Sequence, residues 1–588
     1  MSDEQSFSEP KLSVELGVSH LGAGLIEAAI RDFGRAISTQ VDYVEAYNCL
    51  GSAYGIVKNF ERANSAFGNA IALFSYDSVT LSNFAMTALE LNRYEIALEN
   101  LRRAVVLDPN CSRAYMGIGL VHVKLSTHLN AVCFLSRSCR LAPDAPEENN
   151  NLAACLNELG RFEQALQHSA RALSKRPDDQ RAMNTRALTY RGLSPLEKGI
   201  VWANRAIAVD TKFYSAMNSR AVLLVETARF SEARATYIRV LCLDPTYAAS
   251  RANKGLMDLI HGEYPKGWRD YEARWDVSSF KTSASRLMTG KRLHPDDAIR
   301  GKTILLHHEQ GLGDTLQFCR YAPIVARKGA RTLLYVPSAL VRLFRSQQNF
   351  GEVIALGDDV SGFDYVCPMM SLPFFFGTKL ETIPGRYDAY LHAPADESSK
   401  WSGRLASEFG DSPTAGRLLR VGLVWSGGHR PNEPETWAAN ARRNISLEIF
   451  SRFLDIPNID FVSLQKGDPA EALLAGHEAD YWRAGRLFNP ASELSDFATT
   501  AGVIANLDLV ISVDTSTAHL SAAMGKPTWI LNRFDTCWRW MINQSTSPWY
   551  STVRLYRQGA DRDWTIVLRQ LVADLVAFRD GGSSRGSR

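Results

Sequence analysis

The chain has 588 residues, enough for roughly three to five domains of ordinary size. Its 45% hydrophobic and 22% charged content excludes a disordered or fibrous protein. With 66 basic against 63 acidic side chains the net charge is +3, which leaves no basic footprint for nucleic acid, and no apolar run nears the ~18 residues of a membrane span. The opening Met1-Ser2-Asp3-Glu4-Gln5 lacks the basic-then-apolar pattern of a secretory signal, so a cytoplasmic protein is expected. The nine cysteines (Cys49, Cys111, Cys133, Cys139, Cys155, Cys242, Cys319, Cys367 and Cys537) form no C-x-x-C pair. They are expected as small buried hydrophobes in a reducing compartment, without a zinc or redox role.

Self-similarity organises the first half. Alanine or glycine recurs at Ala29, Ala63, Ala97, Ala131, Ala165, Gly199, Ala233 and Gly267, each step being 34 residues, the period of the two-helix tetratricopeptide repeat. Pro109, Pro143, Pro177 and Pro245 keep the same period, with Thr211 standing where it would place another. A third track, Gly51, Ala85, Gly119, Ala153, Ala187, Ala221 and Gly255, puts small residues in the first helix of each repeat. Small side chains let the paired helices approach closely, and proline, without an amide hydrogen, stops the second helix. Tyr47, Leu50, Tyr54 and Phe67 fill the gaps of the second repeat. No repeat buries its apolar face alone, so the repeats stack into a solenoid.

A solenoid offers a groove lined by its first helices, suited to holding a polypeptide. Asn149, Asn150, Asn151, Asn184 and Asn218 fall there. One reading is an asparagine ladder that grips backbone amides; the other is a set of solvated polar positions. Trp268 and Trp275 in the last repeat point to a capping unit docked on the C-terminal half of the chain, so residues 1–275 are expected as one solenoid.

Residues 276–300 break the period, include Ser278, Ser279 and Pro295, and are expected as a linker. Beyond it, strands are predicted at 303–306, 332–336 and 353–356, and again at 421–425, 461–464, 509–513 and 528–531, with helical segments between. That alternation predicts parallel sheets covered by helices, an α/β half of two Rossmann-like lobes at 301–410 and 411–588, the second ending in a helical tail. A polar run at 394–418 bridges the two sheets. Ligands of open sheets sit at the carboxyl ends of the strands.

Several loops there carry chemistry. Gly311 and Gly313 permit a tight strand-to-helix turn and close backbone approach, although Leu316 breaks the dinucleotide fingerprint. Asp314, at the helix start, is either an N-cap or a carboxylate base facing an acceptor hydroxyl. In the second lobe a strand ends at Asp514, and Thr515, Ser516 and Thr517 open a helix that stops near Gly525. Free amides and hydroxyls make this an anion site fit for a phosphate. His519 lies one turn after Thr515 on the same face; the plainer alternative is a capped helix with a packed histidine. Trp425-Ser426-Gly427-Gly428 is a glycine-rich strand exit, with Arg442, Arg443 and Asn444 beyond it. Lys466, after another strand, is either a surface charge or a neutraliser of a leaving phosphate. Asp561-Arg562-Asp563 has the D-x-D spacing of a metal motif but lies in the tail, and is expected as surface charge.

Residues 311–321, 421–427 and 514–519, with Ser547-Pro548-Trp549-Tyr550, resemble bacterial tetratricopeptide-repeat glycosyltransferases whose catalytic half looks like the lipopolysaccharide heptosyltransferases. The layout is also similar to the O-GlcNAc transferases, which glycosylate serine and threonine. The resemblance implies a GT-B fold, a nucleotide sugar as co-substrate held mainly by the C-terminal lobe, and neither metal nor cofactor. It implies Asp314 as base, joined by His519 as a catalytic residue, with Asp514, Thr515 and His519 in the donor-binding stretch. Trp425, Ser426, Gly427, Lys466, Ser516 and Thr517 complete that donor side. Gly311, Gly313, Gln317 and Arg320 fall on the acceptor side or its loop. Ser516 replaces the glycine usual in heptosyltransferases, so the donor need not be ADP-heptose. Alphaproteobacterial flagellin glycosyltransferases, similar in layout, imply flagellin as the protein partner and pseudaminic acid, from its CMP form, as the sugar. The expected function is protein O-glycosyl transfer. The alternatives are a nucleotide-binding scaffold without turnover and a glycolipid transferase, the latter disfavoured by the lack of a basic amphipathic helix.

Overall fold

The computed structural model describes residues 9–277, 290–410, 418–428, 437–475, 477–482 and 486–581. Ser278, Ser279 and residues 411–417 of the polar run lie outside them. The chain divides into two compact units, one ending at Ala216 and the other beginning at Met217.

In the first unit consecutive helices pack as hairpins: Glu9–Gly22 with Ile26–Thr39, Val44–Ile56 with Phe60–Leu73, Ser78–Glu90 with Tyr94–Leu107, Ser112–Lys124 with His128–Leu141, Pro146–Glu158 with Phe162–Lys175, and Gln180–Leu193 with Leu196–Val209. Ala29, Ala63, Ala97, Ala131 and Ala165 each stand fourth in a second helix and are fully buried. A Cβ on Gly51 would lie 2.8 Å from the Phe67 ring, and one on Gly119 2.6 Å from Leu135. The helices cross too closely there for any larger residue. A further track runs through the turns: Gly24, Lys58, Asn92, Ser126, Gly160 and Ser194 all have positive φ. Most of these close the first helix by a six-to-one hydrogen bond, as from the Asn59 amide to the Tyr54 carbonyl (2.9 Å) and from Arg93 to Ala88 (2.8 Å).

The second unit begins with helices of the same kind, Phe230–Leu243, Ala248–Ile260 and Tyr264–Tyr271, followed by a 3-10 turn at Glu272–Asp276. Gly255 and Gly267 meet backbone to backbone, a Cβ on Gly255 falling 2.8 Å from the Gly267 carbonyl oxygen. A four-stranded parallel sheet comes next, with β1 (Thr303–His307), β2 (Arg331–Val336), β3 (Glu352–Ala355) and β4 (Tyr365–Pro368) in the order β3-β2-β1-β4. A six-stranded parallel sheet then holds β5 (Leu419–Val424), β6 (Ile459–Ser463), β7 (Arg486–Phe488), β8 (Leu509–Val513), β9 (Thr528–Asn532) and β10 (Val553–Arg557), in the order β10-β9-β8-β5-β6-β7. Strand order reverses between β1 and β4 in the first sheet and between β5 and β8 in the second. These switch points open crevices at the strands' carboxyl ends.

Within the run 394–418 the structure has a helix, Ala395–Phe409. Trp401, Leu405 and Phe409, four apart, give that polar sequence a buried stripe, which packs on helix Phe497–Ala505. Not every cysteine is buried: Cys133 and Cys242 are exposed, and Cys49 and Cys537 half-buried. Among the described residues no helix is long and apolar enough to cross a membrane.

Candidate functional site

Loops from both sheets line one cavity of ≈ 440 Å³. The loop after β1 supplies Gly311, Gly313 and Asp314; the exits of β5, β6 and β8 supply Ser426 and Gly427, Lys466, and Asp514 to Thr517. His519, Arg539, Arg443, Gln465 and Asp496 add to the polar wall, while Val424, Leu464, Leu494 and Phe497 make it apolar elsewhere.

Three of the predicted residues lie outside this lining. The Trp425 ring is buried in the core, 5.9 Å from that of Phe450. Gln317 is fully buried and accepts a hydrogen bond from Arg539 Nε (2.9 Å). Arg320 is locked in place: it donates to the carbonyl oxygens of Gln317 (2.7 Å), Pro384 (3.2 Å) and Trp549 (3.0 Å) and to the Tyr390 hydroxyl (2.8 Å). It also stands 4.4 Å from the centre of the Tyr390 ring. A guanidinium so enclosed ties these segments together.

Asp314 is not the N-cap of its helix, Leu312–Phe318; Gly311 is. Gly311 has no side-chain oxygen to offer the free amides of the first turn, and the third helical residue, Asp314, reaches back to its amide. One Asp314 oxygen accepts the Gly311 amide (2.8 Å), and the other pairs with the Arg539 guanidinium. Arg539 further donates to Cys537 Sγ (3.0 Å) and lies 4.3 Å over the Trp538 ring. Burial opposes its charge, but Asp314, Cys537 and Asp514 outweigh that and hold it firmly protonated. Sequence reasoning missed this arginine. It sits between two tryptophans in the tail, and no spacing connects it with Asp314.

His519 is packed as well as placed at the cavity. Its Nδ1 bonds the Tyr550 hydroxyl (2.9 Å), its Nε2 is 3.9 Å from Asp514, and its ring stacks on Trp540 at 5.1 Å. Burial pushes its pKa down to about 4 against the raising pull of Asp514, so the ring is neutral near pH 7. A Cβ on Gly313 would lie 2.8 Å from His519 Cδ2. Absence of a side chain at Gly313 therefore lets the two site helices touch.

Thr515 caps helix Ser516–Ala523, accepting the Ala518 amide (3.5 Å) and pairing with the Ser512 hydroxyl (2.9 Å). Ser516 and Thr517 thus line the cavity at a helix start, where amides lack intrahelical acceptors. Arg443 donates to the Asp514 carbonyl (2.8 Å), and its guanidinium fills the space that a Cβ on Gly427 would take. Gln465 ties the β5 exit by accepting the Trp425 (3.2 Å) and Ser426 (3.0 Å) amides. Lys466 donates to Glu471 (2.8 Å) and to the Ala491 carbonyl (2.7 Å). Arg442 is buried between Asp535 (3.0 Å) and Glu226 (3.3 Å). Asp563 caps the last helix, Trp564–Arg579.

Four of the five repeat asparagines are buried rather than solvated, and Asn218 is half-buried. Asn149, Asn150, Asn151 and Asn184 are all at most 7% exposed. Asn149 is structural, donating to the Pro143 (2.8 Å) and Ala145 (3.0 Å) carbonyls. Asn150 Oδ1, Asn151 Nδ2 and Asn184 Oδ1 are buried with no hydrogen-bond partner among the described residues. In the second unit Asn218 accepts from Ser250 (3.1 Å) and Asn253 (3.2 Å).

A tetratricopeptide-repeat family model matches residues 82–146. Protein FlbA of Caulobacter vibrioides is 23% identical over 562 residues, 91% of this chain and 86% of that protein. Protein O-mannosyl-transferase TMTC1 of Homo sapiens is 29% identical over 136 residues, 22% of this chain and 15% of that protein. Among solved structures, the APC/C hetero-tetramer Cut9-Hcn1 aligns over 37% of this chain and 43% of that one, with 17% identity and a TM-score of 0.35. The chain carries tetratricopeptide repeats followed by an α/β half with parallel sheets, and is similar to FlbA along most of its length.

Proposed function

We propose that this protein is a GT-B glycosyltransferase that moves a sugar from a nucleotide donor to serine or threonine of a polypeptide. In this reading residues 1–275 hold the acceptor and 276–300 link them to the catalytic half. Residues 301–410 form the acceptor-side lobe and 411–588 the nucleotide-sugar side. The observation that carries it is the convergence of Gly311, Gly313 and Asp314 with Asp514, Thr515, Ser516, Thr517 and His519 on one cavity of ≈ 440 Å³. Similarity to FlbA along 91% of the chain, and to a protein named for O-mannosyl transfer over a smaller part, adds support.

Asp314 takes the proton of the acceptor hydroxyl as its oxygen bonds the sugar, while the nucleotide leaves with the electron pair of the broken bond. The helix start at Thr515 to Thr517, with Arg443 and Lys466, meets the charge that grows on the departing phosphate. His519, neutral, serves by hydrogen bonding and by holding the Asp514 turn. Flagellin is the acceptor and CMP-pseudaminic acid the donor that the resemblance favours. The scaffold reading keeps one observation of its own, since both Asp314 oxygens already have partners.

Incubation of the full chain and co-expressed flagellin with CMP-pseudaminic acid, UDP-N-acetylglucosamine or ADP-heptose, followed by intact-mass measurement, tests the proposal. A mass increment of one sugar on flagellin is expected with one donor. No increment with any of them, in the presence of bound nucleotide, leaves the scaffold.

A further inference from the structure

The last repeat hairpin grips the helix that carries Asp314 at both ends. Ahead of the helix, Gln310 has φ +61°, a left-handed conformation costly for a residue with a side chain. Its Nε2 donates to the Tyr271 hydroxyl at 2.6 Å. Its neighbour Glu309 is held by a two-pronged pair with Arg274, Nε to Oε1 at 2.6 Å and Nη2 to Oε2 at 3.0 Å. Arg274 is only 1% exposed, and its other bonds go to the Tyr271 carbonyl (3.2 Å), Glu272 (2.7 Å) and the Ser371 hydroxyl (2.8 Å). At the far end, the Phe318 ring meets that of Trp268 edge-on, their centres 6.2 Å apart. Trp268, Tyr271 and Arg274 all lie in residues 264–276, the end of the repeat array.

Buried ion pairs add little stability over apolar packing of the same shape. What a forked pair supplies is direction, and here it is spent on the turn immediately before Gly311, whose amide the Asp314 carboxylate accepts. We infer that the end of the repeat array is a working part of the catalytic site. Tyr271 and Arg274 are positioning residues that set the turn at Glu309, Gln310 and Gly311, and through it the Asp314 carboxylate. This rests on Asp314 acting as base.

The test uses the full chain with Tyr271→Phe, which removes only the hydroxyl, alongside Gln310→Ala and the double variant. With the donor that labels flagellin for the wild type, Tyr271→Phe lowers kcat about tenfold, the order of one hydrogen bond, with KM unchanged and the melting temperature lowered by no more than about 4 °C. The double variant is no slower than the slower single one, because both remove the same contact. An unchanged kcat, losses that multiply, or a loss of activity that follows a loss of stability overturns the inference. Hydrogen exchange of amides 308–314 needs no substrate and separates this from the enzyme reading. It quickens about tenfold in Tyr271→Phe if the tether holds the turn. A wild type inert with every donor removes the enzyme, and exchange then decides the tether, unchanged rates overturning it.

Discussion

In helices Pro146–Glu158 and Gln180–Leu193, Asn150, Asn151 and Asn184 are buried with an amide atom unbonded. In the cavity of the α/β half, Asp314, Arg443, Lys466 and Arg539 all have partners. An unmade bond on a buried polar group costs about 1–3 kcal/mol, and these asparagine atoms, shielded from solvent, recover it only where the helices part to admit a donor or an acceptor. A polypeptide backbone has both. A paired charge carries no such cost. It holds a geometry in advance, so that the reacting groups need not be reorganised when substrate arrives. In the proposed function one region acts by capture and the other by prior arrangement.

The comparison breaks first at Asp314. Asp314→Asn is expected to cut transfer about 10²–10⁴-fold while nucleotide binding, followed by calorimetry, stays near wild type. Wild-type turnover in that variant removes the base. His519 sharpens the cavity side through pH. The ring takes a proton at about 4 in the folded chain but at its ordinary 6.5 when unfolded. Its contribution is therefore complete above pH 6.5 and falls away towards pH 4, by about 3 kcal/mol at most. Urea midpoints across that window should drop less steeply in His519→Asn.

Gly313→Ala comes next. The added methyl meets His519, and overpacking of this kind costs about 1–3 kcal/mol, read as a lower melting temperature together with slower transfer. The smallest effect is expected in the repeats. Asn150→Ala relieves an oxygen that makes no bond but leaves a small space in the packing, two opposed effects, so stability should stay within about 1 kcal/mol of wild type while capture of the proposed polypeptide acceptor weakens. A clear destabilisation would show that the orphan oxygen already has its partner and that the contrast is false.

The repeats were legible because their constraint is local and recurs. Where two helices cross at backbone contact only glycine or alanine fits, and that demand returns every 34 residues at Ala63, Ala97 and Ala131. The turn track was not legible, although it has the same period. Lys58, Asn92 and Ser126 hold the positive φ that Gly160 takes without steric cost, the closing hydrogen bonds offsetting the penalty, so no single residue type marks it. Strands β4, β7 and β10 escaped for related reasons. β4 ends on Pro368, β7 has three residues, and β10 breaks alternation, since Arg554 and Arg557 stand three apart around Leu555 and Tyr556 at a sheet edge.

From the sequence alone came the hairpin period, the alternation that makes parallel sheets, and the glycine-rich and hydroxyl-rich strand exits, since each arises from contacts within a few turns of chain. Tertiary structure alone decided that Arg539 stands against Asp314, that Arg320 and Trp425 belong to the core, and that Tyr271 and Arg274 reach the Gln310 turn. Those partners lie tens to hundreds of residues apart, and only the crossing of strand order and the docking of the last hairpin bring them together. Physical proximity of that kind leaves no period for a reader of the chain to find.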